Sequence, residues 1–528
     1  MQRAAPETAD SPDTTKSCGL IVISGSGTSG RLAFLVALEF NRILKQNGLY
    51  PCFRHLIAGG DEALLKSVES AEDTSSEAVR DLKTLIEAND TPVDRVVYVG
   101  VTCGLSATYV GAQLEYSMQQ SNDSTAKVSF KTILLGFNPV GSVKPLRIAN
   151  WKSTFHSVVN DLDALAQSRP DAAVIVNPCV GPETICGSTR MKGGSATKIL
   201  LETMAAAAVE QFQSSSNVSA VETAVVAEHI KRYRTAYLET YQSILPQQKD
   251  GAASSNPGSF TQVVDAACDA LKNSQGRVVY LGRGNAGILG VVDASECPPT
   301  YNAHFEDIRG FLLGGWPALY HACDDAAGAA TATDTLRASF ASRIPISVDA
   351  FFGHLRLGDD ADSQSPHPRW LPTDLIVVLD RSSAEDSKPF DFARQVLARL
   401  STSGLPCKTA VLGVHGLGDE KSAAAFAELE VHLKAAIPLS IVDTFADHKI
   451  ARDGLVADFA AKLMLNAVST IAHVQKGTIF TNRMVNLRVS NVKLFHRAVG
   501  LVSQLGRRPI PEVHLPIVPH RVPRHDKC

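Results

Sequence analysis

The chain repeats itself once, and that repeat constrains its fold more than any other feature. Residues 21–39 read IVISGSGTSGRLAFLVALE and residues 278–296 read VVYLGRGNAGILGVVDASE. At an offset of 257 residues the glycines superpose (Gly25 on Gly282, Gly27 on Gly284, Gly30 on Gly287), as do Leu32 on Leu289 and Glu39 on Glu296. Each copy is a short β-branched strand, a tight glycine turn and an apolar run of helical period. A weaker echo relates residues 196–200 to residues 461–465. A period this long means a duplicated domain rather than a solenoid, and 528 residues suit two domains.

Strand-like runs cover 52–58, 95–101, 131–137 and 172–177, then 374–379, 408–412 and 438–442. Helical patterns at 77–87 and 106–119 fall between them. Such alternation predicts an α/β fold: two doubly wound, mostly parallel sheets with helices on both faces. The expected organisation is a polar tail (1–18), a first α/β domain (19–215), a helical connector (216–276), a second domain (277–505) and a tail (506–528). The segments 251–259, 324–334 and 359–367 read as loops.

A net charge of −3 argues against nucleic acid or an anionic membrane surface as partner. Ten scattered cysteines, with no C-x-x-C pair, read as reduced thiols. The start of the chain lacks the basic and apolar regions of a signal peptide, and no stretch reads as a membrane span. The expectation is a soluble protein of the cytoplasm or nucleus. No metal or cofactor is expected, because Asp447-His448 and His520 lack ligand spacing and read as surface or packing residues.

Gly25-x-Gly27-x-x-Gly30 matches the dinucleotide fingerprint, yet that fingerprint also needs an acid about 20 residues on to bind ribose. Here the next strand runs into Gly59-Gly60-Asp61, too far along. The loop instead carries Ser24, Ser26, Thr28 and Ser29. A helix N-terminus with adjacent hydroxyls suits a compact phosphate monoester. The alternative, glycines serving only the turn, fits the second copy, which has no Thr-Ser pair. Thr102, Gly104 and Ser106 follow a neighbouring strand pattern, and such loops open onto one crevice in a doubly wound sheet. Ser106 also reads as a helix cap.

With these motifs in place the chain resembles the sugar isomerase (SIS) domain. The segments Ala71-Glu72-Asp73, Gly181-Pro182-Glu183, 187–194 and 293–300 resemble N-acetylmuramic acid 6-phosphate etherases. The tandem arrangement is more similar to the glucokinase regulatory protein family, with support from 56–61, 136–140, 191–203, 307–312 and 490–498. The resemblance implies one sugar-phosphate site between the halves, built from Gly27, Thr28, Ser29, Thr102, Gly104, Ser106 and Ser188, with Asn491, Lys493 and Arg497. Glu72 and Glu296 would face the sugar hydroxyls. It further implies fructose 6-phosphate, fructose 1-phosphate or an amino-sugar phosphate as ligand, and a glucokinase or hexokinase as partner to be inhibited.

An etherase-type lyase would use the same Glu72 and Glu296 as an acid/base pair, which requires environments that separate their pKa values. A sugar isomerase is the third class. The second half lacks an Ala-Glu-Asp segment and the Thr-Ser pair, so its site reads as dead. Decay of one site suits a sensor better than an enzyme. The helical segment before the first SIS domain and the helical cap after the second both read as missing, and Arg507-Arg508 is too short for a nucleic-acid patch.

Overall fold

The structure, a computed structural model, describes residues 17–214, 222–245, 259–320, 344–356, 369–382, 386–440, 454–489 and 491–507. The expected loop at 251–259 except Ser259, which begins a helix, the expected loops at 324–334 and 359–367, Asp447-His448, His520 and nearly all of both tails lie outside them.

Strands β1 (Cys18–Gly25), β2 (Phe53–Ile57), β3 (Val93–Val101), β4 (Ser129–Leu135) and β5 (Ala173–Val176) form a parallel sheet in the order β2-β1-β3-β4-β5. Strands β6 (Val278–Gly282), β7 (Ile308–Leu312), β8 (Leu375–Arg381), β9 (Lys408–Gly416) and β10 (Leu433–Leu439) form a second, in the order β10-β9-β8-β6-β7. Numbered within its own half, each is the doubly wound 2-1-3-4-5 order, which places a switch point between its first and third strands. Helices cover both faces, so the central strands read as unbroken apolar runs, β6 being buried throughout.

The glycine repeat has the same structural cause in both halves. A Cβ on Gly25 would stand 2.6 Å from the Gly30 nitrogen, and one on Gly282 would stand 2.4 Å from the Gly287 Cα. Gly27 and Gly284 take φ of 53° and 52°, a conformation few side chains tolerate. The glycines therefore serve the strand-to-helix turn, whatever the turn holds.

Two strands depart from the sequence reading. The last begins at Leu433 rather than 438: Pro438 suggests a strand start, but among the described residues β10 pairs only with β9, and an edge strand tolerates proline. β7 went unpredicted because Gly310 interrupts a short run. There a Cβ would stand 2.5 Å from Val291 Cα, so glycine lets the helix Gly284–Ser295 sit close on the sheet.

The halves share one apolar cluster. Leu32, Phe34 and Leu38 of the first-loop helix (Thr28–Gln46) pack with Val263 and Leu271 of the connector and with Leu289 and Phe459. Among the described residues one helix, Leu455–Gln475, is long and apolar enough to cross a membrane by length and composition, where the sequence reading expects none; most of it is buried in this core.

Candidate functional site

At the carboxyl edge of the first sheet lies a cavity of about 490 Å³. Its wall runs from the end of β1 (Ser26, Ser29) across the end of β3 (Thr102, Cys103, Gly104, Ser106) to Phe137 and Asn138 after β4. Glu183 and Gly187 close the far side, and Glu72, Lys493 and Arg497 also line it. The site thus sits at the switch point, where both neighbouring loops turn their hydroxyls into one space. Leu105 holds the β3 loop in shape: it is buried with φ of 52°, and Ser106 N–H donates to Thr102 Oγ1 at 3.3 Å.

The cations come from the C-terminal helix Val492–Gly506, which is fastened by the turn Glu69–Asp73. Asn491 caps the helix, its side chain accepting from Leu494 N–H at 2.8 Å while its amide donates to Glu69. Val492 N–H donates to Asp73 at 3.0 Å. Lys493 Nζ contacts both oxygens of Glu72, at 2.8 and 2.6 Å. Burial opposes the Lys493 charge, but Glu72 and Glu69 outweigh it and hold the ammonium above its usual range. Arg497 spans Gly187: a Cβ there would stand 2.3 Å from the guanidinium carbon. Burial lowers Arg497, and the nearby acids and Cys186 only partly restore it.

Of the residues expected to bind ligand, Ser29, Thr102, Gly104, Ser106, Glu72, Lys493 and Arg497 meet in this one cavity. Gly27 lines a water-sized niche beside it, shared with Ser26, Arg31 and Glu72. The other four lie elsewhere. Thr28 faces Gly194, whose Cβ would stand 3.2 Å from the Thr28 methyl. Ser188 is buried at the seam, 3.3 Å from Thr300 Oγ1. Asn491 is used up as a cap. Glu296 is 3% exposed and lines neither space. It ends a helix buried between the halves, close enough to Arg31 and Lys462 to favour their charged forms.

Ser26 and Glu183 line the cavity although the resemblance does not count them among the ligand contacts. Ser26 lies inside the glycine loop already singled out. Glu183 stands out in the sequence only as part of a motif; it accepts from Gly193 N–H at 2.6 Å and Lys192 N–H at 3.0 Å. Asn482 also lines the cavity, and nothing in the sequence marks it.

The second switch point is shut. By register Gly25 pairs with Val101 and Gly282 with Leu379, so Asp380 stands where the first half has Thr102, and Arg283 where it has Ser26. Arg283 Nε meets Asp380 Oδ1 at 2.7 Å and its Nη2 donates to Arg381 O at 3.1 Å. Asn285 bridges Glu39 and Asp458 at 2.9 and 2.7 Å. The space left there is about 10 Å³.

Two doubly wound sheets, one with a hydroxyl-lined pocket at its switch point, define a tandem SIS-domain protein. Models of the glucokinase regulatory protein match three stretches: the N-terminal SIS domain over residues 4–118, the second SIS domain over 255–333 and the C-terminal lid domain over 481–513. The glucokinase regulatory protein of Xenopus laevis is 31% identical over 510 residues, 96% of this chain and 71% of that protein. That of Mus musculus is 32% identical over 497 residues, 92% and 69% of the two chains. The chain belongs to the glucokinase regulatory protein family. It is also similar to the N-acetylmuramic acid 6-phosphate etherase of Enterobacter sp. (strain 638), 32% identical over 243 residues, 46% of this chain and 66% of that one. The match at 481–513 corrects one expectation: part of the lid is present, and it includes the helix that carries Lys493 and Arg497.

Proposed function

We propose that this chain is a sugar-phosphate-responsive regulator that binds fructose 6-phosphate or fructose 1-phosphate in the first-half cavity and inhibits a glucokinase or hexokinase accordingly. The phosphate would lie against Ser29, Thr102 and Ser106, at the end of the helix Thr28–Gln46, where opposite partial charge and hydroxyl donors favour a dianion. Arg497 supplies a charge-assisted donor.

The observation that carries regulation over lysis is the pairing of Glu72 with Lys493. Both Glu72 oxygens are engaged by an ammonium that stays protonated, which suits accepting hydrogen bonds from sugar hydroxyls rather than delivering a proton. Glu296, the other half of the lyase pair, lines no part of the cavity. Acid/base elimination needs two carboxylates around one substrate, and the second carboxylate lining this cavity, Glu183, has both oxygens engaged by the N–H groups of Gly193 and Lys192.

The test has three arms. Titration calorimetry with fructose 6-phosphate and fructose 1-phosphate is expected to give saturable binding; no binding of either rejects the regulator. Incubation with N-acetylmuramic acid 6-phosphate is expected to release no lactate; release abolished by Glu72→Gln establishes the lyase instead. A glucokinase assay with added chain, with and without fructose phosphates, tests the partner.

A further inference from the structure

Three long helices begin at residues that line the cavity, and they are not treated alike: Thr28–Gln46 and Thr108–Asn122, which begin beside Ser29 and Ser106, carry no side-chain cap, while Lys192–Ser214 has one. The helix Thr28–Gln46 has Gly27 as its cap residue, which offers no side-chain acceptor, so its anion-attracting end is left to whatever enters beside Ser29. The helix Lys192–Ser214 is closed by Glu183, whose two oxygens take the N–H groups of Gly193 and Lys192 at 2.6 and 3.0 Å. That seat is shaped for the carboxylate. A Cβ on Gly193 would stand 2.9 Å from Glu183 Oε1 and 3.1 Å from Cys103 Sγ, so any larger residue would push the carboxylate from this position.

We propose that Glu183 restricts this cavity to ligands with a single phosphate. The two uncapped helix ends lie together beside Ser29 and Ser106 and serve one phosphate, while the third, that of Lys192–Ser214, is occupied by a negative charge of the chain's own. The inference rests on the sugar-phosphate reading and adds to it a rule for choosing among sugar phosphates. Size does not make that choice. About 490 Å³ lies well within the range of roughly 300–1,000 Å³ typical of small-molecule sites, so a hexose bisphosphate is not shut out by volume. Charge makes it. Lys493 is committed to Glu72, and Lys192 Nζ is turned to the Pro182 carbonyl at 2.9 Å. A second phosphate therefore finds Arg497 but also meets the Glu183 carboxylate, where the first phosphate meets an open helix end. Burial leaves the Glu183 carboxyl above its usual range, with the two N–H bonds and Lys462 opposing the rise; the two N–H donors on its oxygens favour the carboxylate form.

The experiment is calorimetric titration of the full chain, Glu183→Gln and Glu183→Ala with fructose 6-phosphate and with fructose 1,6-bisphosphate. The wild type is expected to prefer the monophosphate by about tenfold or more, the scale of one charge-assisted contact. In Glu183→Gln the preference is expected to shrink to roughly threefold or less, because the charge is gone while an acceptor for the helix end remains. In Glu183→Ala, with both N–H groups exposed, the bisphosphate is expected to bind more tightly than the monophosphate. Equal wild-type affinity for the two ligands overturns the proposal, as does an unchanged preference in a folded Glu183→Gln. A wild type that binds neither ligand overturns the sugar-phosphate reading on which it rests. Circular dichroism establishes that each variant is folded, and Glu183→Gln alone decides the matter if Glu183→Ala does not fold.

Discussion

The two switch points of this chain have the same backbone and opposite contents. Both place a glycine turn with φ near 50° beside the end of the third strand. In the first half that junction carries Ser26, Ser29 and Thr102 around about 490 Å³ of space. In the second it carries Arg283 paired with Asp380, and Asp380 and Arg381 line only about 10 Å³. A phosphate cradle and a clamp between two loops thus differ by a few side chains on one scaffold. The second site has become internal structure, its charges answering one another instead of a ligand.

The clamp gives the largest expected effect. Asp380 is buried and takes, besides Arg283, the N–H groups of Arg381 and Ala393 at 2.9 and 3.0 Å. Burial raises its carboxyl, and Arg283 with those N–H bonds works against the rise. Asp380→Ala strands all of them. Breaking a buried pair costs roughly 3–5 kcal/mol, and Arg283 is partly exposed, so a loss of about 3 kcal/mol is expected in denaturant unfolding. The double variant Arg283→Ala/Asp380→Ala is expected to lose less than the single one. A single variant as stable as wild type would mean the clamp is decoration and the two switch points differ less than their side chains suggest.

Next comes the open site. Ser29→Asp places a carboxylate where the ligand phosphate is expected, and fructose 6-phosphate affinity is expected to fall by about 100-fold or more through repulsion and bulk. Asn285→Asp, in the corresponding loop of the second half, is expected to leave that affinity unchanged. If both substitutions weaken binding alike, the ligand does not belong to the first half. A smaller effect is expected from Lys493→Met, about tenfold on the same affinity, because Glu72 then faces the ligand as an unpaired charge.

What the sequence disclosed follows the same division. The duplication, the winding and the first-half pocket were legible, since glycines forced by turn geometry and hydroxyls in a fixed loop are local facts. Glu296 and Ser188 lie outside the cavity, at the seam, where their surroundings come from the other half of the chain. Asn491 sits two residues from Lys493, yet one side chain folds back onto its own helix and the other reaches the cavity, a difference of direction that adjacency does not reveal. Glu183 was visible as a letter in a motif, but its seat exists only once the helix Lys192–Ser214 is brought beside the end of β3. Gly310 hid β7 for a related reason: its purpose is a helix that packs on it from above.

The weaker repeat echo, residues 196–200 against 461–465, supplies the last contrast. Each copy buries one lysine. Lys198 is paired with Glu202, which also accepts from the Tyr233 hydroxyl. Lys462 has no carboxylate in bonding contact among the described residues and donates to Arg190 O and Asn466 Oδ1, both at 2.8 Å. Burial raises Glu202 from 4.5 to about 7, with Lys198 opposing the rise. Burial lowers Lys462 from 10.5 to about 8, with Glu296 opposing the fall. The signs differ. A raised carboxyl binds its proton more tightly when folded, so its contribution is full below its unfolded value and is lost as pH rises through about 7. A lowered ammonium gives up its proton more readily when folded, so stability gains from it as pH rises beyond about 8. Urea midpoints followed across pH are therefore expected to fall from mildly acid to neutral pH and to recover at alkaline pH. Glu202→Gln is expected to flatten the acid-side fall by about 1 kcal/mol, leaving the alkaline side as it was. Should Glu202→Gln leave the fall in place, the buried charge at that seam is already neutralised by Lys198, and the two copies of the echo are alike where their burial makes them look different.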